Sequence, residues 1–153
     1  MSRTFADVLY DLQFVRPKDA AARAFKSTEE PMLSLVAEQM AAGKTGADQV
    51  IVSPYTGEPY YSESYKKYKQ IYGVGIGKVT DRITLNLTGA HYRSLYTRMK
   101  GNQVEIGSTL DYGVEFNKNN PELYQLGTQL GQDYINDHLE PAFWDEMKKE
   151  LNK

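Results

Sequence analysis

The sequence predicts an α+β fold, with helices around a small antiparallel sheet that has a central β-hairpin. Three observations lead there. Leu95–Lys100 and Gln103–Ile106 are short runs with β-branched, aromatic and alternating apolar residues, and Gly101-Asn102 between them suits the positive φ angles of a tight turn. Several other stretches carry apolar residues at helical spacing. The 153 residues, 41% hydrophobic and 25% charged, have the composition of one globular domain with a modest core.

The elements follow in order. Ser2 to Phe14 reads as a first helix, with Phe5, Val8, Leu9 and Leu12 on one face and Ser2 as its cap. Pro17 ends it or begins the next element, and Lys18 to Lys26 is alanine-rich with good helix propensity. Glu29-Glu30-Pro31 opens a helix carrying Leu33, Val36, Ala37 and Met40 on one side. Residues 43–60 form a long loop or arm containing Gly43, Gly46, Pro54, Gly57 and Pro59, in which only Gln49–Val52 suits a strand. Such a loop in a compact domain is a place for function.

Ser62 to Tyr72 reads as a helix whose face is lined by Tyr61, Tyr65, Tyr68 and Tyr72. Lys66, Lys67, Lys69 and Gln70 point elsewhere. Gly73 to Lys78 reads as a flexible link, and Arg82–Leu87 alternates as a third strand of the sheet. Thr88 is placed to cap a short helix at Gly89, Ala90 and His91. In the hairpin, Val104 and Ile106 alternate with Gln103 and Glu105, so the first pair faces the core. Asp111-Tyr112-Gly113 starts a new element. Pro121 opens a short helix at Glu122–Leu126, and Asp133–Leu151 is a terminal helix in which Pro141 forces a kink or a new start. The single tryptophan, Trp144, packs the core or a neighbour.

Composition narrows the function. With 18 basic and 20 acidic side chains the formal net charge is -2, which argues against a dedicated DNA binder but not against a ring through which DNA passes. The absence of cysteine removes disulfides, thiolate zinc sites and cysteine nucleophiles. No signal peptide is read at the N-terminus, where Arg3 and Asp7 stand, and no apolar run approaches about 18 residues, so no membrane span is expected.

Catalytic patterns are sparse. Lys44 and Lys78 follow glycines, but a phosphate loop needs another glycine where Glu38 and Tyr72 stand. Gly73, Gly75 and Gly77 lack dinucleotide spacing. His91 and His138 have no second ligand at short helical spacing for zinc. Ser94 lies near His91 in sequence, without a nucleophile elbow. Neighbouring carboxylates at Glu29-Glu30 and Asp145-Glu146 face different ways on a helix. The expectation is no enzyme, no metal and no cofactor.

Tyrosine stands out instead, at 12 residues against 5 Phe and 1 Trp. Its ring buries area while its hydroxyl keeps a hydrogen bond, which suits interfaces. Tyr61, Tyr65, Tyr68 and Tyr72, with Tyr55 and Tyr60 in the loop, are the candidate interface residues. The helix face has three readings: packing on the core, a subunit interface, or a stacking platform for nucleic acid.

The second half of the chain resembles phage neck and tail-completion proteins, the virion morphogenesis or head–tail joining family. The resemblance rests on Leu85, Thr88 and Gly89, then Ser94-Leu95, then a hairpin ending in Ile106-Gly107, then Tyr112-Gly113. The family's Glu-Phe-Gly-Thr is replaced after Glu115-Phe116 by Asn117-Lys118-Asn119-Asn120. The resemblance implies a structural virion subunit at the neck or tail, assembled in the host cytoplasm as a ring-shaped homo-oligomer. Its partners would be the portal or adjacent neck and tail proteins, with DNA only as passing cargo. The rival readings are a small cytoplasmic hydrolase and a monomeric nucleic-acid-binding adaptor.

Overall fold

A computed structural model describes residues 16–101 and 103–152. The first expected helix, Ser2 to Phe14, lies outside the described residues. The chain divides into two compact units. One holds residues 16–32 and 132–152; the other is Leu33–Gly131 and contains the hairpin.

The helical unit begins with α1, Pro17–Ser27, in which Pro17 occupies the first turn where its missing N–H costs nothing. Helix α2, Glu29–Ala41, follows after one residue, with only residues 29–32 in this unit and the rest in the other, and has acidic side chains in its first turn, favourable to the helix dipole. The C-terminal helices are α6, Thr128–Tyr134, and α7, Glu140–Leu151. Between them Ile135–Leu139 forms a wide π turn. Pro141 has no N–H to donate and its ring would press on the preceding turn, so widening that turn lets the helix continue without a break. Arg23 joins α1 to α7 through Nε to Glu146 and Nη2 to Glu150, each at 2.7 Å. Thr28 Oγ1 and the Tyr134 hydroxyl share a buried hydrogen bond of 2.7 Å. Trp144 is about half exposed, so it is not a core residue.

The hairpin unit holds α3 (Glu63–Tyr72), a 3₁₀ turn (Gly75–Lys78), α4 (Ala90–Arg93), β1 (Leu95–Lys100), β2 (Gln103–Ser108) and α5 (Asp111–Asn119). Strands β1 and β2 pair antiparallel from Leu95↔Ser108 to Lys100↔Gln103. Gly101, at φ +62°, begins the turn. The sheet has these two strands alone among the described residues.

The expected third strand, Arg82–Leu87, is irregular. Leu85 takes a positive φ of 54°, which breaks the pleat. The segment is buried all the same: Ile83, Thr84, Leu85 and Asn86 are all in the interior. Burial here does not follow the apolar alternation, since Thr84 and Asn86 are as buried as Ile83 and Leu85. Thr88 does not cap α4; Gly89 does, at φ +82°, with its N–H held by Asn86 Oδ1 at 2.8 Å. Pro121 opens a turn rather than a helix, and Glu122 has φ +63°. The link at Gly73–Lys78 is also more than a tether. A Cβ on Gly77 would sit 1.9 Å from the Leu87 carbonyl oxygen, so this backbone is packed tightly.

The hairpin corrects one further expectation. Ile106 packs against the core, but Val104 is 37% exposed. Leu95 at the base of β1 is buried, Tyr96 and Thr97 are half-buried, and Arg98 to Lys100 are exposed. Burial falls with distance from the base, because the tip projects beyond the core, and this overrides alternation.

The core comprises Val36, Met40, Ile51, Ile83, Leu85, Leu95, Phe116, Leu123 and Tyr124. Two buried amides tie irregular segments to it. Asn120 accepts from Val52 N–H at 2.7 Å and donates to the Val52 carbonyl at 2.9 Å, as a strand partner would. Gln39 donates to the Gln125 carbonyl and accepts from Gly127 N–H. The first part of the loop at residues 43–60 is therefore anchored, with Ile51 and Thr45 buried, whereas Tyr55 to Tyr60 is exposed. The expected strand at Gln49–Val52 amounts to one bridge, Lys44↔Val50.

Candidate interaction surface

Helix α3 explains itself from its ends inward. Ser62 caps it, accepting from Tyr65 N–H. Lys66 reaches back to Glu63 at 2.6 Å and holds that carboxyl below its usual range. The tyrosines recur at intervals that bring each ring onto the next. Tyr61 and Tyr65 have centroids 5.1 Å apart, Tyr65 and Tyr68 5.9 Å, and Tyr68 and Tyr72 4.5 Å. Such offset and tilted contacts favour one another beyond their buried area.

The helix does not sit on this ladder. Its deeply buried residue is Lys69, which is 0% exposed. Lys69 Nζ donates to the Asn86 carbonyl and lies over the Tyr61 ring, 4.7 Å from its centroid. Burial pushes the amine down to about 8. The sequence reading placed Lys69 off the tyrosine face without assigning it to the interior, where the structure puts it. Lys69 follows Tyr65 by four residues and so lies beside it on the helix; its long aliphatic stem fills the interface while its ammonium finds a carbonyl and a ring face.

The tyrosines after Tyr61 keep much of their surface in solvent. Tyr65, Tyr68 and Tyr72 are 40%, 45% and 57% exposed. Ile71 and Val74 stand beside them, both about two-thirds exposed or more. Tyr61 differs: it is half-buried, and its hydroxyl accepts from Thr84 N–H at 3.0 Å. Tyr55 and Tyr60 are exposed on the loop, and Lys66 Nζ lies over the Tyr60 ring. The six candidate tyrosines thus fall into an outward face, a loop pair and one core-facing member. Within the ladder Tyr65 and Tyr68 are stacked, while the Tyr61–Tyr65 and Tyr68–Tyr72 contacts are tilted.

Behind α3 lies a cleft of about 530 Å³, walled by Tyr61, Tyr65, Tyr112, Phe116, Leu85 and His91 and rimmed by the exposed loop. His91 is 1% exposed. Burial pushes its imidazole down to about 4, so it is neutral at pH 7. Its Nε2 meets the Tyr124 hydroxyl at 3.3 Å. Ser94 Oγ donates to the main-chain carbonyl of His91 at 2.6 Å and pairs with Ser108 Oγ, so its proton is not directed at the imidazole. Sequence reasoning singled out His91 and Ser94 but missed this arrangement, because it depends on α5, a helix without a strong periodic signal.

Among the described residues no group of three or more His, Asp or Glu is placed to hold a metal ion, and no helix is long and apolar enough to cross a membrane. No protein-family model, curated protein or solved structure matches the chain.

Proposed function

We propose that this chain is a structural virion protein of a tailed phage, a neck or tail-completion subunit that joins portal and tail as part of a ring-shaped oligomer. The observation that carries the interaction role is the outward face of α3. A helix that buries a lysine and leaves three neighbouring tyrosines, an isoleucine and a valine largely in solvent has the character of an unfilled interface. Tyrosine supplies large contact area at a small cost in side-chain entropy.

The phage setting is supported by the ordered motif from Leu85 to Gly113. Its members meet at the base of the hairpin. Leu85 and Leu95 are core residues, Ser94 holds Ser108, and Gly113 packs where a Cβ would strike the Tyr124 hydroxyl and His91. A motif of this kind specifies a scaffold, and a scaffold suits a structural role rather than catalysis. At the hairpin tip the paired Met99 and Val104 are both exposed, which offers a second surface to a neighbouring subunit. DNA would pass as cargo rather than be gripped, in keeping with the net charge of -2.

Mass photometry of the purified chain, alone and with the portal protein of the same phage, tests the proposal. A ring or a defined complex supports it. A chain that stays monomeric under both conditions speaks against it.

A further inference from the structure

The cleft behind α3 lies within the hairpin unit, and its volume of about 530 Å³ falls within the range of small-ligand sites. Two kinds of surface meet in it. Tyrosine rings come from three parts of the chain: Tyr55 and Tyr60 in the loop, Tyr61 and Tyr65 at the start of α3, and Tyr112 in α5. Uncharged hydroxyl and amide side chains share the lining, among them Ser53, Thr56, Ser62, Asn86 and Thr88. No Asp, Glu, Lys or Arg lines the cleft, and Lys66, which lies over the Tyr60 ring, is paired with Glu63. An acidic or phosphate-bearing ligand would lose its hydration there without gaining a counter-charge. A wholly apolar one would cover the hydroxyls without bonding them.

The rim is built by the loop's own hydrogen bonds. Ser53 N–H donates to the Glu58 carbonyl and Gly57 N–H to the Ser53 carbonyl, each at 2.8 Å, which closes the loop on itself. Asn120 holds its base through Val52. Ser53 Oγ accepts from Tyr55 N–H, and Thr56 Oγ1 accepts from Glu58 N–H. Those bonds fix both oxygens and leave both hydroxyl protons to donate. Burial raises the Tyr112 phenol above its usual range, and the phenols of Tyr65 and Tyr61 add to the shift, so hydroxyls from α3 and α5 gather at the cleft. A pyranose ring matches this mixture. Its C–H faces are slightly positive and lie against the negative face of an aromatic ring. Its hydroxyl periphery calls for neutral donors and acceptors. We propose that the cleft binds a neutral saccharide, with a sugar ring laid against tyrosine and its hydroxyls bonded to Ser53, Thr56 and Thr88. Such binding needs no ring assembly, so it is read on the isolated chain.

Saturation-transfer NMR on the full chain tests this with maltotriose, cellotriose, lactose and triacetylchitotriose as probes. At least one is expected to bind saturably, with a Kd on the order of 1 mM or below. Trigalacturonate should bind at least about tenfold more weakly than that probe. Ala90 lines the cleft from an exposed position, so Ala90→Trp should fill the space without disturbing the core and abolish binding. Tyr55 and Tyr60 are exposed, so the double change Tyr55→Ala with Tyr60→Ala should leave the fold intact and weaken binding about tenfold. The corresponding Phe pair, which keeps both rings, should bind within about twofold of the wild type. Absence of saturable binding by all four probes would overturn the proposal. So would equal affinity for trigalacturonate, or unchanged binding by Ala90→Trp. Binding of N-acetyl-tyrosine amide more tightly than every saccharide would overturn it in favour of a polypeptide ligand.

Discussion

Lys69 Nζ lies 4.7 Å from the centre of the Tyr61 ring, inside the fold, with the Asn86 carbonyl as its hydrogen-bond acceptor. This pair holds α3 against the Arg82–Leu87 segment. It also predicts a pH dependence. The folded amine titrates at about 8 against an ordinary value of 10.5. Between those values the unfolded chain binds the proton and the folded chain does not, so stability rises with pH through that window. Below pH 8 the buried charge costs on the order of 2–3 kcal/mol. Lys69→Met removes the titration. Denaturant midpoints measured from pH 7 to pH 10 should show the wild type gaining on Lys69→Met; parallel curves would contradict this.

His91 predicts the opposite end of the pH scale. Its imidazole is held at about 4, below the usual 6.5, because burial penalises the charged form. The contribution of the neutral ring is fully present above pH 6.5 and is lost as pH falls toward 4. Thermal melts at pH 7 and pH 5 should show a larger acid loss for the wild type than for His91→Phe. The His91 ring resonances should not titrate between pH 7 and pH 5 in the folded chain.

The hairpin predicts a contrast between two neighbours on one strand. Val104 is partly exposed at the tip and Ile106 packs against the core. Val104→Asp should fold, at a cost of about 1 kcal/mol or less. Ile106→Asp places an unpaired charge against the core and should fail to fold or express. Circular dichroism and expression of both variants check this.

How far the sequence disclosed this structure depended on the kind of signal. The hairpin was legible because strand propensity and a Gly-Asn turn agree locally. Helices α1, α2 and α3 were legible from their spacing and from Pro17, Pro31 and Ser62 near their starts. The segment Arg82–Leu87 was misread because nothing in its alternation announces the positive φ of Leu85 or the burial of Thr84 and Asn86 beside their apolar neighbours. The burial of Lys69 was not foreseen, because lysine is almost never fully buried. Nothing local announces that Asn120 brackets Val52 across 68 residues of chain. The tyrosine ladder itself was visible as spacing, but the exposure of its later members was not.

If the outer tyrosines of α3 belong to an interface, Tyr68→Ala and Tyr72→Ala should separate folding from assembly. Melting of the isolated chain and mass photometry of the assembly are recorded for each variant. The interface account predicts a melting temperature nearly unchanged from the wild type and a lost ring or portal complex. Loss of roughly 3–5 kcal/mol in the isolated chain, as for aromatic residues removed from a core, with assembly intact, would contradict it.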